Sequence, residues 1–142
     1  MKGLVVDASV AVKWFVPEIH SEHAAKLLGK GVPLLAPDLI HAEIGNTLLK
    51  KWKKGELDAN AALGIIEDFN RFPLICTRCS TLSGGAWAVA EKAGITYYDA
   101  LYAALALLES VPFITADQRL YRALKRNPFK LKAVWVEDVS GS

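Results

Sequence analysis

The sequence predicts an α/β protein: a three-layer α/β/α sandwich around a central, mainly parallel sheet. Three observations predict it. Brief runs rich in Val, Ile and Leu, unbroken by polar residues, recur along the chain, as strands buried on both faces do. Helical segments separate them, which is the βαβ order of a parallel sheet. The chain has 142 residues, 52% hydrophobic and 23% charged. That is enough for one domain able to bury roughly 68–70% of its unfolded surface without covalent staples.

"GLVVDAS" opens with a β-branched apolar run, a first strand. "SVAVKWFV" starts a short helix stopped by Pro17. "HSEHAAKLLGKG" is helical up to its glycine-rich end, and "VPLLAP" is a second strand between prolines. "DLIHAEIGNTLLKKWKKG" is the clearest helix: Ile40, Ile44, Leu48 and Trp52 recur every four residues, and Gly55 stands where the helix should end. "LDANAALGIIEDFNRF" is helical with Asp58 near its start, and "PLICT" is a strand. Two helices follow, "STLSGGAWAVAEKAG", ended by Gly94, and "TYYDALYAALALLES". "VPFIT" is a strand, "ADQRLYRALKR" a helix and "KAVWVED" the last strand. The domain is expected to span residues 1–138, with 139–142 a disordered tail.

No run approaches the 18 or so apolar residues of a membrane span, and the first residues lack the features of a signal peptide, so a cytoplasmic protein is expected. Cys76 and Cys79 form one C-x-x-C. A zinc site needs a second ligand pair, for which His20 and His23 are the sequence's offer; two ordinary cysteines is the preferred reading, ahead of zinc or a redox role. The net charge of +2 is too small to imply nucleic acid by itself, but its distribution is uneven. "KKWKK" at 50–54 and the series Arg119, Arg122, Lys125, Arg126, Lys130 and Lys132 are basic clusters, readable as solvated helix faces or as grips on phosphate.

In open parallel sheets, ligands bind beyond the carboxyl ends of the strands. Asp7 ends the first strand and Asp117 closely follows the "FIT" strand. Glu43 lies on the second turn of the helix after "VPLLAP", and Asp99 in the first turn of its helix. Each has a structural alternative. Asp7 or Ser9 can cap a helix, Asp117 can favour a helix dipole, Glu43 can belong to a solvated stripe with Asn46, Thr47, Lys50 and Lys54, and Asp99 can complete a capping box begun by Thr96. Together, four carboxylates on one rim repel one another unless a cation neutralises them. An all-oxygen donor set selects a hard ion, Mg²⁺ or Mn²⁺, typical of phosphoryl-transfer sites. Ser9, Asn46 and Thr115 stand beside three of the acids as supporting polar groups.

The ordered set "VVDASV", "APDLIHAEIGNTL", "YYDALYAALA" and "ITADQRL" resembles the PIN-domain ribonucleases, above all the VapC-type toxins of toxin–antitoxin pairs, across nearly the whole chain. The resemblance implies that Asp7, Glu43, Asp99 and Asp117 form the family's acidic metal site, with Ser9, Asn46 and Thr115 at its polar positions. It further implies a Mg²⁺- or Mn²⁺-dependent endonuclease acting on RNA such as tRNA or rRNA, a homodimer, and a small antitoxin that silences the site. The basic clusters would then hold the RNA backbone. Tyr97, Tyr98 and Trp52 would stack on bases or serve core or dimer packing.

The expected chemistry is direct hydrolysis, since the sequence offers no evident Ser–His or Cys–His pairing, and His41 should face away from Glu43. A haloacid-dehalogenase-type phosphatase needs D-x-D where this chain has Ser9. The alternative of another class is a non-catalytic PIN-like scaffold that binds RNA or protein.

Overall fold

The computed structural model describes residues 2–126 and 130–139. In chain order these form β1 (Leu4–Val6), α1 (Ala8–Ala11) with a 3₁₀ turn at Val12–Trp14, α2 (Ser21–Leu28), β2 (Leu34–Pro37), α3 (Leu39–Lys53), α4 (Ala59–Arg71), β3 (Ile75–Thr77), α5 (Cys79–Ala93), α6 (Tyr97–Glu109), β4 (Phe113–Thr115), α7 (Gln118–Arg126), β5 (Ala133–Trp135) and a 3₁₀ turn at Val136–Asp138. The strands make one sheet in the order β3-β2-β1-β4-β5, every pairing parallel.

Strand alternation divides the core into two layers. Val5, Leu35, Phe113 and Ala133 face one cluster, filled by α6 and by residues of α3 and α5. Leu4, Val6, Leu34 and Ile114 face the other, filled by Ala24 and Leu27 of α2 and by Val136 and Val139. Burial on both faces explains the unbroken apolar strands. β3 is the exception. It lies at the sheet edge, and its Ile75 is largely exposed.

α6 is buried throughout Ala100–Ala106, packed between the central strands and α5. A helix apolar on all sides is stable only in such a place. Gly55 and Gly94 follow α3 and α5 at φ 76° and 67°, the left-handed ends expected of them. The apolar stripe of α3 holds for Ile40, Ile44 and Leu48 but not for Trp52, which is 47% exposed. A four-residue spacing drifts by about 40° per step on a helix, so the fourth member leaves the core face.

Val139 was expected to open a disordered tail. Instead it is buried against the α2 layer; residues 140–142 lie outside the described residues. Among the described residues, no helix is long and apolar enough to cross a membrane.

Candidate active site

β1 ends at Val6, and the next residue, Asp7, is the N-cap of α1. It is 6% exposed. Its Oδ1 accepts from Ser9 Oγ (2.5 Å) and from the Val10 amide (3.2 Å). Its Oδ2 accepts from Thr115 Oγ1 (2.5 Å). The two hydroxyls are shared with the end of β4: Ser9 Oγ accepts from the Ala116 amide and Thr115 Oγ1 from the Asp117 amide, each at 3.0 Å. These bonds tie the carboxyl ends of β1 and β4 together. The two strands are neighbours, yet β1 leads on towards β2 and β4 towards β5 on the other side. The network therefore sits at the topological switch point, where open α/β sheets place ligands.

Asp117 accepts from the Leu120 amide at 3.2 Å and so caps α7. Asp99 stands in the first turn of α6, whose N-cap Thr96 accepts from the Asp99 amide at 3.0 Å. Capping and site geometry coexist there, with Thr96 holding the helix end. Glu43 lies on the second turn of α3, and the hydroxyl of buried Tyr102 donates to its Oε1. Tyr102 is three residues beyond Asp99 on the same helical face, so α6 serves two of the four carboxylates.

All four acids line one cavity of about 380 Å³, together with Ser9, Asn46, Thr47 and Tyr102, and with Lys13, Glu18, Lys50 and Lys51. The electrostatics show that the carboxylates sense one another. Burial pushes the Asp7 carboxyl up to about 7, although the bonds from Ser9, Thr115 and Val10 oppose this; the Asp99 charge adds to the rise. Glu43 is raised by burial, against the Tyr102 bond, with the Asp99 charge again adding. Asp99 itself is raised by burial, opposed by Thr96 and reinforced by Asp117. Asp99 is thus the hub: it repels each of the other three. Burial, then the charge of Glu43, hold the Tyr102 phenol far above its usual range, so it stays protonated and donates.

Among the described residues, no three His, Cys, Asp and Glu side chains converge as a ready-made set of metal ligands. The donors still fit a hard divalent ion. They are all oxygen, they repel one another, and burial opposes the ionisation of Asp7, a cost that a cation would offset. Mg²⁺ in particular keeps several waters and needs direct bonds from only one or two carboxylates.

Other expectations divide. Thr115 is fully buried behind Asp7 rather than in the cavity, while Ser9 and Asn46 line it. Of the "KKWKK" lysines, Lys50 and Lys51 reach the cavity lining. Arg119, Arg122 and Arg126 line a separate shallow surface on α7. Tyr97, Tyr98 and Trp52 are 40%, 62% and 47% exposed, which removes core packing as their role.

His20 and His23 lie beside one another, His20 against Trp135 of β5, whereas Cys76 is in β3. β3 and β5 are opposite sheet edges, so the two pairs do not form a zinc site. His41 lies against Phe69 with the rings tilted, outside the acidic cavity, as expected. The structure does correct one point: Cys76 Sγ lies 3.6 Å from His41 Nε2, a Cys–His contact the sequence did not suggest. Burial and then Asp38 raise the Cys76 thiol, the reverse of an activated nucleophile.

Three participants were missed: Tyr102, Lys13 and Glu18. A buried tyrosine needs a partner for its hydroxyl, and the Asp99–Tyr102 spacing was the available signal.

The sequence model of the PIN domain family matches residues 4–125. Ribonuclease VapC3 of Pyrobaculum aerophilum is 34% identical over 119 residues, covering 82% of this chain and 91% of that protein. Ribonuclease VapC1 of Mycobacterium tuberculosis is 33% identical over 128 residues, covering 87% of this chain and 92% of its own length. The crystal structure of PAE2754 from Pyrobaculum aerophilum superposes with a TM-score of 0.71 at 26% identity, over 95% of this chain and 84% of that one. With a match running from β1 into α7, and relatives a third identical over more than four-fifths of its length, this chain belongs to the PIN-domain family.

Proposed function

We propose that the chain is a Mg²⁺- or Mn²⁺-dependent endoribonuclease and the toxin of a toxin–antitoxin pair. The observation that carries the reading is the convergence of Asp7, Glu43, Asp99 and Asp117, from separate segments, on one cavity at the switch point of the sheet. The relatives named as VapC ribonucleases support the substrate class.

Asp7, Asp99, Glu43 and Asp117 are the residues that would hold the cation. Bound among them, a divalent ion would polarise the scissile phosphate and lower the pKa of a coordinated water. The chain supplies the rest. Ser9 and Thr115 fix both Asp7 oxygens, so the carboxylate meets its ligand without reorganising. Tyr102 orients Glu43 and favours its charged form. Asn46 and Thr47, on the cavity wall, offer neutral bonds to phosphate oxygens or water.

An antitoxin and a second copy of the chain are the proposed partners, with the cytoplasm as the proposed setting. An apolar groove of about 310 Å³ between α3 and α4, lined by Leu48, Leu49, Trp52, Ala62, Leu63 and Ile66, supports a protein partner. The test is incubation of the purified chain with tRNA and rRNA in Mn²⁺ or Mg²⁺, with and without EDTA. Cleavage abolished by EDTA and by Asp99→Asn is expected. Cleavage that persists without metal, or in Asp99→Asn, refutes the metal site. Binding without cleavage in every metal identifies a scaffold instead.

A further inference from the structure

The geometry points to Lys13 and Lys51, braced by Glu18, as a binding site for an RNA phosphate beside the four carboxylates. This rests on the ribonuclease reading above.

Glu18 splits its carboxylate between the two lysines. Oε1 accepts from Lys13 Nζ at 2.9 Å and Oε2 from Lys51 Nζ at 2.7 Å. The side chains are largely withdrawn from solvent, Lys13 7%, Lys51 16% and Glu18 23% exposed. They come from three places: the 3₁₀ turn after α1, the segment following it, and the last turns of α3. All three line the cavity that holds Asp7, Glu43, Asp99 and Asp117.

Structural locking does not account for the arrangement by itself. A lock between two elements needs one cation and one anion. Here one carboxylate serves two ammonium groups and leaves a net charge of +1. Burial acts to raise the Glu18 carboxyl, but the bonds from Lys51 and Lys13 outweigh it and hold it below the ordinary glutamate value. Glu18 is therefore ionised at neutral pH and keeps both lysines in place. Each ammonium has three N–H donors and spends one on Glu18, which leaves donors for a ligand.

The cavity explains what such a ligand is. A phosphodiester is an anion, and an acidic cavity rejects it unless cations meet it. A divalent ion meets the carboxylate side; the braced lysines meet the other. Bracing also removes in advance the rotamer freedom that a free lysine would lose on gripping phosphate. Glu18 is then a positioning residue, and Lys13 and Lys51 are the phosphate contacts.

The experiment measures fluorescein-labelled tRNA binding by anisotropy, in Mg²⁺, across a salt series. The parent is Asp99→Asn, in which hydrolysis is expected to stop. Into it are placed Lys13→Met, Lys51→Met, Lys51→Arg and, as control, Lys26→Met at an exposed position of α2. Each of the first two should weaken binding about fivefold and make the log K against log salt slope shallower by about 1. Lys51→Arg should restore the slope, and Lys26→Met should leave it unchanged. Melting temperatures verify folding, and if Lys13→Met does not fold, Lys51→Met decides. Unchanged slopes in folded Lys13→Met and Lys51→Met, with lowered melting temperatures, mean a purely structural brace and overturn the inference alone. A parent that binds no RNA overturns the ribonuclease reading, and this inference with it.

Discussion

Replacing Asp7 with asparagine should separate the stability cost of the site from its chemistry. Burial raises the folded carboxyl from 3.8 to about 7. The folded state therefore holds this proton more tightly than the unfolded chain does. Its contribution to stability is fully present below the unfolded value and is lost as pH rises to the folded one. The slope is ~1.4 kcal/mol per pH unit, or about 4 kcal/mol in all for the metal-free protein. Asparagine carries no charge and no slope. It keeps the acceptor facing Ser9 and Val10, but its amide nitrogen meets the Thr115 hydroxyl, which must turn and lose one bond, at about 1 kcal/mol. The variant should thus be slightly less stable than wild type at pH 4 and up to about 3 kcal/mol more stable at pH 8, roughly 10 °C in Tm. Thermal unfolding in EDTA from pH 4 to 8 measures this. Added Mg²⁺ should narrow the gap at pH 8 by stabilising wild type more, and RNA cleavage by the variant should be lost. Parallel stability curves for the two proteins across that range would refute the claim that Asp7 is a buried, costly anion.

Four further substitutions test the remaining parts. Thr96→Ala removes the cap of α6 and should cost about 1 kcal/mol in urea unfolding while cleavage persists; Asp99→Asn should do the opposite, abolishing cleavage with no loss of stability, because its charge is repelled by three neighbours. Tyr102→Phe removes the donor that favours ionised Glu43. The acidic limb of the kcat/KM profile should therefore move to higher pH, and an unmoved limb would show that Glu43 is not titrating in catalysis. Leu105→Ala, at a fully buried position of α6, should cost about 2–5 kcal/mol in the same urea assay, more than any site substitution.

The fold was legible because each strand and helix announced itself locally. The β-branched runs set the strands, Pro17 and Gly94 set boundaries, and α6 declared its burial by lacking a polar face. The rim could be foreseen from one topological rule applied to strand ends, which located Asp7 and Asp117 directly. What stayed hidden depends on contacts between distant segments. The Glu43–Tyr102 bond joins α3 to α6, and although the spacing from Asp99 marks the face of Tyr102, nothing local names Glu43 as its partner. Glu18 reads as a loop acid after Pro17, and its two lysines lie in separate elements. Trp52 misled for the reason opposite to these: a local pattern persisted past the point where the helix turned away from the core.

The apolar helix α6 explains how four repelling carboxylates can be held together at all. Two like charges 4 Å apart in a partly desolvated site repel by about 4 kcal/mol. Left on flexible loops, such groups would move apart into water. Here each is fixed by something that does not yield. Asp7 is anchored on both oxygens at the meeting of two central strands, Asp117 by the cap of α7, and Glu43 by a tyrosine inside the core. Asp99 is carried on a helix buried from Ala100 to Ala106, which cannot shift without opening the main hydrophobic layer. Packing energy at the centre of the molecule therefore resists electrostatic relaxation at its rim. The strain retained there is what a bound cation would relieve, so the same burial that makes the metal-free protein costly at neutral pH would supply affinity for the proposed ion.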